Sequence, residues 1–131
     1  MIMLLVPLAA FSAIDHDTPN PTFGTQLSDC SAFFGLLSQS KSEFAEGMKG
    51  FAFAATNYSI VAFADASKAE VEAGKSMLRL ADEFPNLMHD KAAFGNKFST
   101  CVSALKTAEL ELRPRMDETT KKLIPEMFRE K

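Results

Sequence analysis

Apolar residues recur every three or four positions along most of this chain, which is the period of a helix face. From residue 25 onward no segment alternates apolar and polar residues as a half-buried strand does. The clearest run is spaced by fours and threes and consists of Phe94, Phe98, Cys101, Leu105, Ala108 and Leu112. The pattern predicts an all-α domain, a small antiparallel bundle of about four main helices with a short C-terminal helix.

Polar residues and prolines indicate where these helices begin and end. Residues 40–43 and 67–70 each match a capping box, in which a serine hydroxyl and a glutamate carboxylate satisfy backbone N–H groups, so they predict the starts of the second and third helices. Pro85 is predicted to end the third helix and Pro114 the fourth. Asp117 is predicted to cap the short last helix.

The second and third helices each show an apolar face. In the second helix this face consists of Phe44, Met48, Phe51, Ala55, Tyr58 and Ala62. Residues 50–64 carry no charge and are too few to span a bilayer, so we expect this helix to be central and buried on all sides. In the third helix the predicted core face consists of Val71, Gly74, Leu78 and Ala81, with Met77 and Phe84.

The N-terminal residues predict export. Residues 2–11 form an uncharged run too short to cross a membrane, and Ala10 and Ser12 supply the small residues that a signal peptidase recognises. We therefore expect a cleaved signal at residues 1–13, a flexible leader at residues 14–24 and a folded domain at residues 25–131. The alternative, a buried N-terminal helix, is disfavoured by Pro7 and by the lack of a polar face. The mature protein would be periplasmic or extracellular, with no membrane span.

The chain has two cysteines, Cys30 and Cys101, and each lies on the apolar face of its predicted helix. In an exported protein such a pair is expected to form a disulfide, the alternative being two separate buried thiols. The spacing is unlike that of a redox or haem-binding motif, so we assign the pair a structural role.

Phenylalanine is abundant, with twelve residues against one tyrosine and no tryptophan. Most of these rings fit a helical core, but Phe33, Phe53 and Phe63 lie beside the main apolar faces rather than on them. We expect these three rings to contact another helix, a ligand or a partner protein. A ligand would require an apolar pocket between the helices, suited to a lipid, a porphyrin or another flat hydrophobic molecule.

Charge and composition narrow the classes of function. The formal net charge is -3, with 14 basic and 17 acidic residues and no basic cluster, which argues against nucleic-acid binding. No catalytic motif surrounds His89, and His16 between Asp15 and Asp17 offers no preorganised metal site, so we expect no catalytic residue, metal or cofactor. The sequence predicts a binding protein such as an adaptor, inhibitor or immunity-type protein, whose partner is another protein; the alternative is a carrier of a small hydrophobic ligand. It leaves the oligomeric state open.

Overall fold

The computed structural model describes residues 19–40 and 43–124, and the regular elements of that part of the chain are all helical. The helices are α1 (Pro21–Leu37), α2 (Ala45–Phe63), α3 (Ala66–Met88), α4 (Lys91–Glu111) and α5 (Glu118–Leu123), with a 3₁₀ turn at Arg113–Arg115. Four main helices pack together and a short one follows, which confirms the predicted fold class. The predicted signal, Pro125 and residues 41–42 of the first capping box lie outside the described residues.

The central helix is α1, which packs against α2, α3 and α4. It runs antiparallel to α2, since the backbone N–H of Asn20 donates to the carbonyl of Ala62 over 2.7 Å while the hydroxyls of Ser31 and Thr56 lie 2.6 Å apart. The two helices approach closely where Gly24 meets Phe63, since a Cβ at Gly24 would lie 2.9 Å from the ring. A glycine is therefore required at this crossing.

The prediction that α2 is central and buried on all sides is wrong. Because α1 covers one side of α2, the opposite side remains open, and the side chain of Phe53 is 44% exposed there. Phe44, placed on the predicted apolar face, is 67% exposed because it precedes the helix as its N-cap residue. Ala55, Tyr58 and Ala62 from that face are buried as expected.

A disulfide and a cluster of phenylalanine rings join α1 to its neighbours. Cys30 and Cys101 form the predicted bond, with their Cα atoms 5.3 Å apart. The ring of Phe34 lies 5.1 Å from that of Phe51 on α2 and 6.1 Å from that of Phe98 on α4, centroid to centroid. Both ring pairs are edge-on, an arrangement that aromatic rings prefer. The core thus combines contacting aromatic rings and many aliphatic side chains with a covalent bond between α1 and α4.

The N-cap residues of α1 and α3 are an asparagine and an aspartate rather than the serines of the predicted capping boxes. Asn20 accepts a hydrogen bond from the backbone of Phe23, and Pro21 supplies a suitable first residue, so α1 begins within the range predicted as a leader. Asp65, in extended conformation, caps α3 in place of the box at 67–70. The helix that the box at 40–43 was expected to start begins instead at Ala45.

The C-terminal ends of the helices are partly as predicted. The helix α3 continues through Pro85 to Met88, because a proline one turn from the end removes a single hydrogen bond. The fourth helix ends before Pro114, as expected. Asp117 caps α5, and the bond it accepts from the backbone of Thr120 holds the pKa of its carboxyl below the ordinary value.

Reduction of the disulfide is expected to lower the free energy of unfolding by about 4 kcal/mol, because the bond restricts the unfolded chain over a long loop. The two cysteines are 71 residues apart in the sequence. The melting temperature measured by circular dichroism should fall by roughly 15 °C on adding reductant. A variant with both Cys30→Ala and Cys101→Ala should melt at the same temperature with and without reductant. Quantitative alkylation of two thiols in the untreated native protein would contradict the bond.

Two neighbouring phenylalanines of α2 are expected to differ in their contribution to stability. Phe51→Ala removes a ring that packs against Phe34 and should lower the free energy of unfolding by about 3 kcal/mol. Phe53→Ala truncates a ring on the outward side and should cost less than about 1 kcal/mol. Urea denaturation of the two variants measures the difference, and equal losses would show that Phe53 is also part of the core.

Candidate interaction surface

The third helix carries more apolar residues than its own fold can cover. Its inner face, which contacts the core, consists of Ala69, Ser76, Met77, Leu80, Phe84 and Leu87. The hydroxyl of Ser76 donates to the carboxylate of Asp29 on α1 over 2.7 Å, and Arg79 forms an ion pair with the same carboxylate. These contacts join one side of α3 to α1 and set the rotation of α3 about its own axis.

A second apolar face of α3 lies in solvent in this structure. It consists of Val71, Gly74, Leu78, Ala81, Pro85 and Met88, spaced by three and four, and we name it the α3 surface. Every one of these residues is exposed, and the side chain of Leu78 is 77% exposed. Six apolar positions in one continuous row on one helix are typical of a contact surface rather than of scattered exposed residues.

The prediction that Val71, Gly74, Leu78 and Ala81 face the core is therefore wrong. Each residue of a helix advances the direction of its side chain by about 100°, so Leu78 points roughly 200° away from Ser76. Because Ser76 is held on α1, Leu78 must face outward. The sequence did contain a signal for this surface, because α3 carries two sets of apolar residues at helical spacing. Packing against one side of the bundle can bury only one of these sets.

Charged side chains border the α3 surface. Lys75 and Asp82 lie along one edge of this surface, two helical turns apart, and both side chains are exposed. The ammonium of Lys75 lies 3.4 Å from the carboxylate of Glu72, an exposed pair of the kind that adds little stability. The other side is bordered by Glu70 and by the partly buried Met77 and Phe84. The surface thus has one edge of alternating charge and one edge that is mainly apolar.

The structure places the three predicted contact residues in different surroundings. Phe33 is fully buried, with its ring 5.7 Å from that of Phe94. Phe63 is also buried against α1, and the ammonium of Lys68 lies 5.9 Å from its ring centroid. Phe53 alone of the three is exposed, and it lies on α2 rather than on the α3 surface. These residues therefore do not form one exposed site.

A buried polar cluster connects α2, α4 and α5. The hydroxyl of Tyr58 donates to the carboxylate of Glu109 over 2.5 Å, and the guanidinium of Arg113 binds the same carboxylate at 3.2 Å. Arg113 also donates to the backbone carbonyls of Lys121 and Ile124, at 2.8 and 2.9 Å. These contacts hold the C-terminal helix against the bundle, so the cluster has a structural role.

Burial, together with the hydrogen bond and charge of Glu109, raises the pKa of Tyr58 well above its ordinary value of 10.0. Arg113 acts in the opposite direction, but its positive charge is shared with Glu109. A tyrosine that retains its proton so strongly is a hydrogen-bond donor rather than a general base. His89 lies at the end of α3, where its Nδ1 donates a hydrogen bond to the carbonyl of Pro85 over 2.8 Å.

An open groove of about 490 Å³ lies between α1 and α4. Most of its lining residues carry hydroxyl or amide groups and include Gln26, Ser99, Thr100, Ser103 and Thr107. The phenylalanine rings of the core, in contrast, contact one another. The lining also includes Phe23 and Ala104, so the groove is an open surface feature of mixed polarity and differs from an enclosed pocket lined by aromatic rings.

Tyr58→Phe is expected to lower the free energy of unfolding by about 1 to 2 kcal/mol, because it leaves Glu109 without one of its buried donors. The loss should depend on pH. Below pH 10 the tyrosine is protonated in both the folded and unfolded chains, whereas at higher pH only the unfolded chain releases the proton, so the native protein loses stability. Denaturation measured between about pH 8 and pH 11 should show this alkaline loss in the native protein and a weaker loss in the variant. Identical pH profiles would contradict the assignment.

The described part of the chain offers few other candidate sites. Within residues 19–40 and 43–124, no three histidine, cysteine or carboxylate side chains come together as ligands for a metal ion. In the same residues, no helix combines the length and the apolar character needed to cross a membrane. Comparison of the chain with protein-family models, with curated proteins and with solved structures gave no match.

Proposed function

We propose that this protein is a small exported binding protein that recognises another protein through the α3 surface. The observation that carries the proposal is the row of six exposed apolar positions on α3, centred on Leu78. Helices that bind proteins present apolar residues at this spacing, because positions three and four apart lie on one side of the helix. Burial of such side chains removes apolar surface from water, which favours formation of a complex.

The rigidity of α3 supports this role. The helix is capped by Asp65, joined to α1 through Asp29 and packed on the core by Leu80. A partner would therefore meet a surface that is already ordered, and little conformational entropy would be lost on binding. Replacement of Leu78 should leave the fold intact, since its side chain has few contacts within the described chain.

Two features favour binding of a protein over the alternative of a hydrophobic carrier. The rings of Phe33, Phe34 and Phe94 pack against one another in the core, with centroids 5.7 Å apart in both the Phe33–Phe34 and Phe33–Phe94 pairs. The groove between α1 and α4 is bordered mainly by polar side chains. The formal charge of -3 further favours a protein partner over nucleic acid.

Export is part of the proposal. Disulfides persist in oxidising compartments such as the periplasm and the extracellular space, and the Cys30–Cys101 bond is compatible with such a location. The signal predicted at residues 1–13 is the second reason, and it comes from the sequence alone.

Capture experiments with matched variants test the proposal. The oxidised protein is immobilised and exposed to the exported fraction of its native host, and the bound proteins are identified by mass spectrometry. Leu78→Glu is expected to reduce capture of a specific partner by at least about tenfold, because it places a charge in the centre of the α3 surface. Leu110→Glu is the control, since Leu110 on α4 is also 77% exposed but lies outside that surface.

Circular dichroism should show the same melting temperature for both variants, within the range of ordinary surface substitutions. Equal capture by the native protein and both variants would contradict a role for the α3 surface. Native mass spectrometry of the captured material distinguishes the carrier alternative. A small hydrophobic molecule retained equally by all three proteins would favour the carrier and contradict the proposal.

A further inference from the structure

We infer that the α3 surface binds a second copy of this chain, through antiparallel pairing of the two α3 helices about a two-fold axis. The inference rests on the proposed function, since it names a partner for the same surface. A two-fold interface brings one patch against itself, so the patch must be self-complementary. The spacing, side-chain sizes and charges of the α3 surface can each be tested against this requirement.

The spacing is compatible with a single antiparallel register. When Leu78 lies opposite Ala81 of the second copy, Val71 falls opposite Met88 and Gly74 falls opposite Pro85. All six positions are then paired, and the two-fold axis passes between residues 79 and 80. No apolar position of the α3 surface is left facing solvent.

The sizes of the paired side chains are complementary in this register. Leu78 faces the small Ala81 and Pro85 faces Gly74, so in the two inner pairs a larger residue meets a smaller one, while Val71 and the flexible Met88 meet at the ends of the interface. Such alternation lets two helices interdigitate at close distance. Parallel pairing would instead place Leu78 against Leu78 and Gly74 against Gly74, leaving a bulge and a void.

Gly74 is compatible with this register. Apart from its chain neighbours and the backbone of its own helix, no atom of the described residues lies within 4 Å of the position that a Cβ at Gly74 would occupy, as is also true at Gly47 and Gly95. The packing of α1, α2 and α4 therefore does not require a glycine here, although glycine within a helix costs roughly 0.5 to 1 kcal/mol relative to alanine. In the antiparallel pair, the missing side chain makes room for Pro85 of the second copy.

The charged residues that border the α3 surface are also complementary between the two copies. In the antiparallel register Lys75 lies near Asp82 of the second copy, and the symmetry produces this attraction twice. On the other edge Met77 lies near Phe84 of the second copy, so apolar groups meet apolar groups. Parallel pairing would still bring Lys75 near Glu70, but it would place Asp82 against Met77.

Sedimentation equilibrium of the oxidised protein tests for the dimer. The native protein is expected to show a concentration-dependent equilibrium between monomer and dimer, and Leu78→Glu should raise its dissociation constant at least about a hundredfold. Leu110→Glu, the exposed control on α4, should leave the dissociation constant unchanged. Circular dichroism of each variant verifies that the monomer remains folded.

A charge exchange tests the orientation. Lys75→Asp should weaken the dimer by about tenfold, because it replaces two attractions with two repulsions across the interface. Adding Asp82→Lys to the same chain should restore affinity in the antiparallel dimer, since each new lysine again faces an aspartate. In a parallel dimer the second substitution would face Met77 and restore nothing.

The possible outcomes separate this inference from the proposed function. A native protein that remains monomeric up to about 1 mM overturns the inference, as does a dimer that Leu78→Glu leaves intact. Loss of a different captured partner in Leu78→Glu would then still support the proposed function. A dimer broken by Leu78→Glu but not rescued by the double charge exchange overturns the antiparallel arrangement.

Discussion

The packing of three helices around α1 is the constraint on which the rest of this structure depends. The helix is enclosed because its small residues permit close contact, as at Gly24 against Phe63, and its large rings fill the spaces between neighbours. The disulfide at Cys30 then fixes α4 beside it covalently. Since α1 occupies the centre, the helices around it can each bury only the side that faces it, and their outer sides are left for solvent or for partners.

Polar contacts decide which side of each outer helix faces inward. Asp29 of α1 accepts the hydroxyl of Ser76 and pairs with Arg79, which directs the row centred on Leu78 toward solvent. The carboxylate of Glu109 likewise accepts hydrogen bonds from Tyr58 and Arg113. Arg113 also donates to the backbone carbonyl of Ile124, just after the C-terminal helix. Hydrogen bonds of this kind between helices add specificity because a rotated helix would leave a polar group such as the buried hydroxyl of Ser76 unpaired.

The α3 surface follows from these two constraints. A helix with apolar residues on two adjacent faces can bury one of them against α1 and must expose the other unless another chain covers it. In this protein the exposed face combines small and large residues with opposite charges at its edge, so it has the features of an interface in both shape and electrostatics. The phenylalanine rings of the core contribute to stability through their contacts with one another.

The all-helical fold, the disulfide between Cys30 and Cys101 and the apolar row of α4 could be predicted from the sequence, because each depends on local periodicity or on a unique pair of residues. It predicted the cap at Asp117 but not that at Asp65, because capping serines and aspartates compete within a few residues. The rotation of α3, and with it the exposure of Leu78, was decided only by the tertiary structure. Periodicity shows that a helix has apolar faces, but contact with another helix selects which of them is buried.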